Sequence, residues 1–499
     1  MARSKVLWVG EIPSVSVVAE FRNRDLGVTP VTQEAEVTPL VLSGCCCIVY
    51  NFSQLSLAKS REIFSVSCGA AVSHGLLIYL LADNDGIQDH ISKVVADMHL
   101  PDRVLVRLRR RTAPIPVFEI AELAARHDPG PPYSEGLKIS YEDETRPLTP
   151  EGVTLLKRAF FDCASVSLLN LSGGYSANVF RANATFIDSV VGPRPLPFFA
   201  KLDEVAKIEQ EKSNYEVYAS HFIPFNLRPN LDSSRCLSGA QMGLLVGNFV
   251  DHSEPLWDLI MRGQAQVALN SLFDDALRAW RLQAYCSEHT VVDGPIAMGL
   301  KSEFDYRKVR PEYVARAKAE FDITSDPIAL WEQLLSLRDQ RYRTGPMHGD
   351  MHGNNVRVRA GDAIVIDFYS AKIGPIVADM ANLETWVSFS TPPDCTDERA
   401  NTPWKDTVDR LYSPLGVFEV PPPVADGSSL MWLWDFVRQL RSMACAARTC
   451  ATEYESAVAV YMLRRALFPS ANPCDQFRRT YAYVCAARLI GHLITRDPK

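Results

Sequence analysis

The sequence has no C-x-x-C pair, no long apolar run, no P-loop and almost no concentration of positive charge, and each absence removes a class of function. Its 12 Cys fall without regular spacing. Cys45, Cys46 and Cys47 stand together in the apolar stretch CCCIVY, where successive strand residues point to opposite faces, so the three cannot share one metal. Free buried thiols in a reducing compartment are the expectation. The longest apolar runs, around Leu76–Ala82 and Gly44–Tyr50, fall far short of the roughly 20 residues that cross a bilayer. The opening MARSKVLWVGEIPS lacks the apolar core and cleavage site of a secretory signal, so a soluble cytoplasmic protein is expected. In a chain of net charge −7, the one basic tract is Arg107-Leu108-Arg109-Arg110-Arg111. Nothing basic or aromatic gathers around it, so it reads as a solvated strand end and a nucleic-acid polymer is not expected as a partner. No G-x-x-x-x-G-K-[ST] occurs, which excludes P-loop chemistry. No internal repeat is visible.

What is present is a 499-residue chain with 47% hydrophobic and 22% charged residues, enough for two or three globular domains. Residues 1–128 alternate strand candidates (KVLWVG, CCCIVYNF, LLIYLLAD, RVLVRLR) with helix-like stretches such as SLAKSREIFSVSCGAAV and GIQDHISKVVADMH, the rhythm of a small parallel α/β sheet. In size and rhythm this region resembles a response-regulator receiver domain. That resemblance implies an acidic pair after the first strand and a phospho-accepting Asp after the central one, yet only Glu11 and Asn51 stand there. A degenerate docking or regulatory module is the expectation. Residues 129–149, which take in most of DPGPPYSEG (from Asp128) and then YEDETRP, read as a linker. Thr149-Pro150-Glu151 then offers a hydroxyl cap, a proline in the first turn and an acid beside it, a helix start.

Gly173 and Gly174 lie between two strand-like runs in LLNLSGGYSANVFRA. A hairpin tip without Cβ atoms can approach a ligand closely, although a plain tight turn is the commoner meaning. In FFAKL, alternation places Phe199 and Lys201 on one face of a strand and Ala200 and Leu202 on the other. A lysine in such an apolar strand needs an anionic partner or a route to solvent. The helical segment that follows offers Glu209, Glu211 and Glu216.

The densest chemistry is in HGDMHGNNVRVRAGDAIVIDF, His348 to Phe368. His348 and His352 would share a metal only on a helix, which Gly349, Gly353, Asn354 and Asn355 oppose. A loop fits better. Asp350 is then placed to accept the proton of an attacking hydroxyl, with the Asn355 carbonyl oxygen and the Asp367 carboxylate as hard ligands for Mg²⁺. A base, a metal and a lysine on nucleotide phosphates are the parts of phosphoryl transfer.

HGD-x-H-x-x-N followed by a strand ending in IDF resembles the catalytic loop of the aminoglycoside phosphotransferase and choline kinase group, which is related to protein kinases. The match falls on His348, Gly349, Asp350, His352, Asn355, Ile366, Asp367 and Phe368. Gly353-Asn354 departs from the usual Pro-Gly. The resemblance implies a bilobal α+β protein-kinase-like fold after the α/β domain: a β-rich N-lobe over 150–250 and a mostly helical C-lobe over 251–499. It also implies ATP, with GTP as an alternative, and Mg²⁺. Asp350 becomes the catalytic base, Asn355 and Asp367 the metal ligands, and the two histidines loop supports. Gly173, Gly174 and Ser176 become the nucleotide-covering loop and Lys201 the phosphate-binding lysine. Glu216 is the expected helix partner of Lys201, ahead of Glu209, and backbone groups of Val246 to Phe249, including Asn248, are expected against adenine. Asp379, in GPIVADMANLE, fits a structural loop anchor and a ligand equally and is left out of the catalytic set. The acceptor, a hydroxyl on a small molecule or a protein, carries no mark in the sequence. The competing expectation is a catalytically weak nucleotide-binding scaffold whose N-terminal domain docks a partner.

Overall fold

The apolar, β-branched runs of the first region pair as parallel strands because both of their faces are covered. The structure is a computed structural model. It describes residues 3–32, 36–52, 57–82, 89, 92–93, 96, 106–110, 117–143, 147–171, 178–188, 195–338, 340–393, 395, 398, 401–412 and 430–496. Strands β1 (Lys5–Gly10), β2 (Gly27–Val31), β3 (Cys45–Asn51), β4 (Leu77–Ala82) and β5 (Val106–Arg110) form one sheet in the order β2-β1-β3-β4-β5. All of its pairs are parallel. This is the doubly wound order with its switch point between β1 and β3. Helix α1 (Leu57–Ser73) belongs to one face, and helix α2 (Val117–Arg126) shares the opposite core with Trp8, Val49 and Tyr79.

The Cys triplet departs from simple alternation. The β1–β3 register skips Cys46, pairing Lys5 with Cys45 and Val6 with Cys47. That bulge turns Cys46 and Cys47 into the same core while Cys45 enters the other. Burial pushes the Cys45 and Cys46 thiols up to about 11, as inert packing groups.

The chain divides into two compact units, and the first holds residues 1–212 with 230–251. The α/β region therefore shares a unit with the next sheet. Strands β6 (Lys138–Tyr141), β7 (Cys163–Asn170), β8 (Asn178–Phe186), β9 (Leu196–Glu204), β10 (Leu237–Ser238) and β11 (Met242–Asn248) run in the order β10-β11-β9-β8-β7-β6. The segment expected as pure linker thus supplies a strand, β6, which pairs in parallel with β7. Helix α3 (Pro150–Ala159) starts as its sequence promises, with the Thr149 hydroxyl accepting from the Gly152 N–H at 3.1 Å. Its Leu155 and Leu156 pack with Ala200, Leu202, Leu244 and Val246.

Two side chains on α3 join the α/β region to this sheet. Glu151 accepts a hydrogen bond from the Ser73 hydroxyl at 2.7 Å and others from the N–H groups of Ala240, Gln241 and Met242. Arg158 is buried and donates to the carbonyls of Pro131 at 3.1 Å, Ser73 at 2.5 Å and Pro129 at 2.6 Å. Ala240 itself lies in the hydrophobic cluster of the parallel sheet.

The second unit holds residues 213–229 and 252–499. It is mainly helical, with two three-stranded sheets: β12 (Glu254–Pro255), β15 (Val356–Arg359) and β16 (Asp362–Val365), then β13 (Val291–Asp293), β14 (Arg341–Met347) and β17 (Lys372–Pro375). Helices α4 (Ala378–Phe389), α5 (Met431–Ala447), α6 (Glu453–Arg465) and α7 (Pro473–Arg496) build its core. Among the described residues no helix is long and apolar enough to cross a membrane.

Candidate active site

In the first unit, Lys201 sits where strand alternation places it. Ala200 and Leu202 face α3, while Lys201 lies on the other side, opposite Leu245 across β9 and β11. The helix Val205–Asn214 covers that side, with Ile208 packed on Leu245. Gly243 allows the approach, since a Cβ there would lie 2.7 Å from the Ile208 Cβ. Lys201 Nζ then meets Glu211 Oε2 at 2.7 Å, with both side chains more than nine-tenths buried.

Glu216, the expected partner, is exposed. It lies beyond the end of the helix Val205–Asn214, in the π-helical turn Tyr215–Ala219, whereas Glu211 is buried on the helix itself. Glu209 instead receives the Ser238 hydroxyl.

The hinge expectation also changes. The Val246 N–H points to Cys236 Sγ at 3.4 Å, and its carbonyl accepts from the Asp232 N–H at 2.9 Å. The Asn248 N–H donates to the Asn230 carbonyl at 3.1 Å, and the Asn248 side chain accepts from the Asn230 N–H at 2.5 Å. Segment 230–236 runs beside the outer edge of β11 and takes these backbone groups of Val246 and Asn248. Gly173, Gly174 and Ser176 lie outside the described residues, between β7 and β8, which do form an antiparallel hairpin.

In the second unit, β14 delivers the HGDMHGNN loop. Gly349 has φ +77°, and a Cβ there would lie 2.4 Å from the Ser370 carbonyl oxygen, so this turn requires glycine. His348 is fully buried. Its Nε2 donates to the Ile366 carbonyl at 2.9 Å and its Nδ1 accepts from the Asp350 N–H at 3.3 Å, a pattern that places the ring proton on Nε2. Asp379, at the start of α4, accepts from the N–H groups of His348 at 2.8 Å and Gly349 at 3.1 Å. Burial pushes its carboxyl up, against His348 and these two donors. His348 and Asp379 are therefore loop supports.

His352 stacks on Trp386, with ring centroids 5.3 Å apart, and its Nε2 lies 3.6 Å from Asp350 Oδ2. Burial outweighs the nearby Asp350 and lowers its pKa below the ordinary histidine value.

Asp350 is 40% exposed and its Oδ1 meets Arg464 Nη2 at 3.2 Å. Burial raises its carboxyl, but Arg464, His352 and His348 together outweigh that and leave it below the usual carboxylate value. Arg464, which comes from α6, is not among the expected site residues. Arg464 also lies 3.9 Å from Glu303, which pairs with Lys372 as well. Burial works against its charge, but Asp350 and Glu303 prevail and raise it. The one available signal was an arginine pair closing the apolar run AVAVYMLRR, since a buried helix that ends in charge needs acids nearby.

Asn355 donates from Nδ2 to the Asp350 carbonyl at 3.0 Å, which leaves Oδ1 as the amide atom able to bind a cation. Asp367 follows β16 with φ +65°, an uncommon backbone for a non-glycine residue. Asn214 donates to the Phe368 and Tyr369 carbonyls and fixes the turn after it. Two hard oxygen donors suit Mg²⁺, which takes its other ligands from phosphates and water. Among the described residues no group of three or more His, Cys, Asp and Glu side chains could hold a metal alone.

Residues 300–401, which contain the whole loop, match the model of the phosphotransferase enzyme family, APH. The resemblance carried by HGDMHGNN and VIDF thus extends over the segment from Leu300 into the chain beyond α4. Among solved structures, a thermostable mutant of aminoglycoside phosphotransferase APH(4)-Ia in ternary complex with AMP-PNP and hygromycin B is 15% identical, covers 61% of this chain and 93% of its own, and has a TM-score of 0.29. Amicoumacin kinase hAmiN, in complex with AMP-PNP, Ca²⁺ and Ami, is 13% identical, with 66% and 89% covered and a TM-score of 0.30. Choline kinase from Cryptosporidium parvum Iowa II is 10% identical, with 66% and 90% covered and a TM-score of 0.32. At scores this low, the reading rests on the loop and its matched segment. No curated protein matches the chain significantly.

Proposed function

We propose that this protein is an ATP- and Mg²⁺-dependent phosphotransferase that moves a γ-phosphoryl group to a hydroxyl acceptor. The observation that carries the reading is the loop itself. Asp350, Asn355 and the left-handed Asp367 are held by dedicated supports, in a segment that matches a phosphotransferase model. Lys201, fixed by Glu211, orients nucleotide phosphates. Asn355 and Asp367 would hold the metal, which when bound neutralises phosphate charge. Asp350 aligns the acceptor hydroxyl and receives its proton late. With Arg464 depressing its basicity it is a weak base, so positioning carries more of the work than proton abstraction.

The N-terminal α/β region fits a docking or gating role for a protein partner. Its packing against the Lys201-bearing sheet through Glu151 and Arg158 favours a part of the enzyme over a loosely tethered module.

The test is a thermal-shift titration with ATP, GTP and ADP, each with and without Mg²⁺, on wild type, Asp367→Ala and Asp350→Asn. Stabilisation that needs both nucleotide and metal, is lost in Asp367→Ala and survives within a few-fold in Asp350→Asn supports the reading. Labelled-ATP transfer should then vanish in Asp350→Asn. No shift for the wild type at millimolar nucleotide favours a kinase-shaped scaffold instead.

A further inference from the structure

Cys395 and Cys474 are 79 residues apart in the chain, yet their Sγ atoms lie 2.8 Å from each other. Cys474 is buried in the first turn of α7, and Cys395 is partly exposed in the chain that follows α4. Side chains hold both from several sides. Asn472 Nδ2 donates to the Cys395 carbonyl at 3.1 Å, and Asn401 Nδ2 donates to the Cys474 carbonyl at 3.4 Å. Asn401 Oδ1 faces the Cys395 thiol at 3.9 Å and accepts from Arg478 Nε at 2.8 Å. Arg478 lies over the Trp404 ring, 4.6 Å from its centroid. Burial draws the Arg478 guanidinium down to about 10, while the two sulfurs act in its favour.

We propose that Cys395 and Cys474 are a reversible dithiol–disulfide pair that exchanges with low-molecular-weight disulfides such as oxidised glutathione. Cys395, the accessible member, attacks one sulfur of the small disulfide as a thiolate. A mixed disulfide forms and one small thiolate leaves. The Cys474 thiolate then attacks the Cys395 sulfur, closes the intramolecular bond and expels the second small thiolate. The two protons given up by the protein thiols end on the two small thiolates. Two electrons pass from the protein to the small disulfide. The ring so closed contains α5 and α6, and therefore Arg464, so oxidation fastens the helix that holds the Asp350 partner.

The experiment incubates the full-length protein in buffers of graded oxidised-to-reduced glutathione ratio. Samples are quenched with N-ethylmaleimide, weighed intact and mapped by peptide. Exposed Cys286 and Cys445 serve as internal controls, because they should carry glutathione adducts. The expected result is a cross-linked peptide joining Cys395 to Cys474, neither of these two thiols alkylated, and a melting temperature higher by roughly 5 °C. Cys474→Ser should leave only a glutathione adduct on Cys395. Should that buried variant fail to fold, Cys395→Ser, at a partly exposed position, should remove the cross-link equally. The proposal is overturned if the controls exchange while Cys395 and Cys474 remain separately alkylated or separately glutathionylated. It is overturned too if either serine variant shows the same oxidation-dependent rise in melting temperature as the wild type.

Discussion

Replacing Arg158 with methionine tests whether the α/β region is welded to the neighbouring sheet or only leans on it. The guanidinium makes three hydrogen bonds to carbonyl oxygens, on Ser73, Pro129 and Pro131. Charge-assisted bonds of this kind are worth about 1.5–3 kcal/mol each, so their loss costs about 7 kcal/mol together. A term of opposite sign is nearly as large. Burial, with Arg3 nearby, draws the guanidinium down to about 9 from 12.5. That corresponds to a penalty of about 5 kcal/mol on the charged form, which methionine does not carry. The net expectation for Arg158→Met is a loss of about 2 kcal/mol, read as a lower urea midpoint. Arg158→Lys should be worse, because lysine keeps the buried charge while reaching fewer of the carbonyls. Equal stability of wild type and Arg158→Lys would refute the reasoning, since burial and bonding would then both have been misjudged.

Two further outcomes are expected. Glu453 is buried, and burial raises its carboxyl to about 7 against the N–H groups of Thr449 and Cys450. The folded state therefore binds the proton more tightly than the unfolded chain, so stability is full below about pH 4.5 and falls as pH rises toward 7. Glu453→Gln should stabilise the protein by up to about 3 kcal/mol at pH 8 and hardly at all at pH 4.5, as measured by urea unfolding at the two pH values. Arg464→Met should lower phosphotransfer about tenfold with Mg-nucleotide affinity little changed, because Asp350 loses its orienting partner; a comparable loss of nucleotide affinity would instead make Arg464 a binding group.

What could be read beforehand was local. The start of α3, the loop from His348 to Asn355, and the face of Lys201 each follow from residues within a turn or a strand of one another. Glu216 was mistaken for Glu211 because both lie on a plausible helix, and only the contact of Ile208 with Gly243 and Leu245 fixes which side meets the sheet. The occupied backbone of Val246 depends on how segment 230–236 folds back, which no periodicity reports. Nothing in the sequence sets Arg158 apart from the other basic residues of its helix. Its burial comes from the approach of the chain around Ser73 and Pro131, a matter of tertiary packing.

The contact between Asp350 and Arg464 spans 114 residues. A chain made from its N-terminus folds its early parts first. The reactive loop therefore leaves the ribosome long before the helix that holds its carboxylate, and a nascent or truncated protein ending short of Arg464 would carry every recognisable motif without the partner that sets them. Reading the loop in a gene fragment would overstate what that fragment can do.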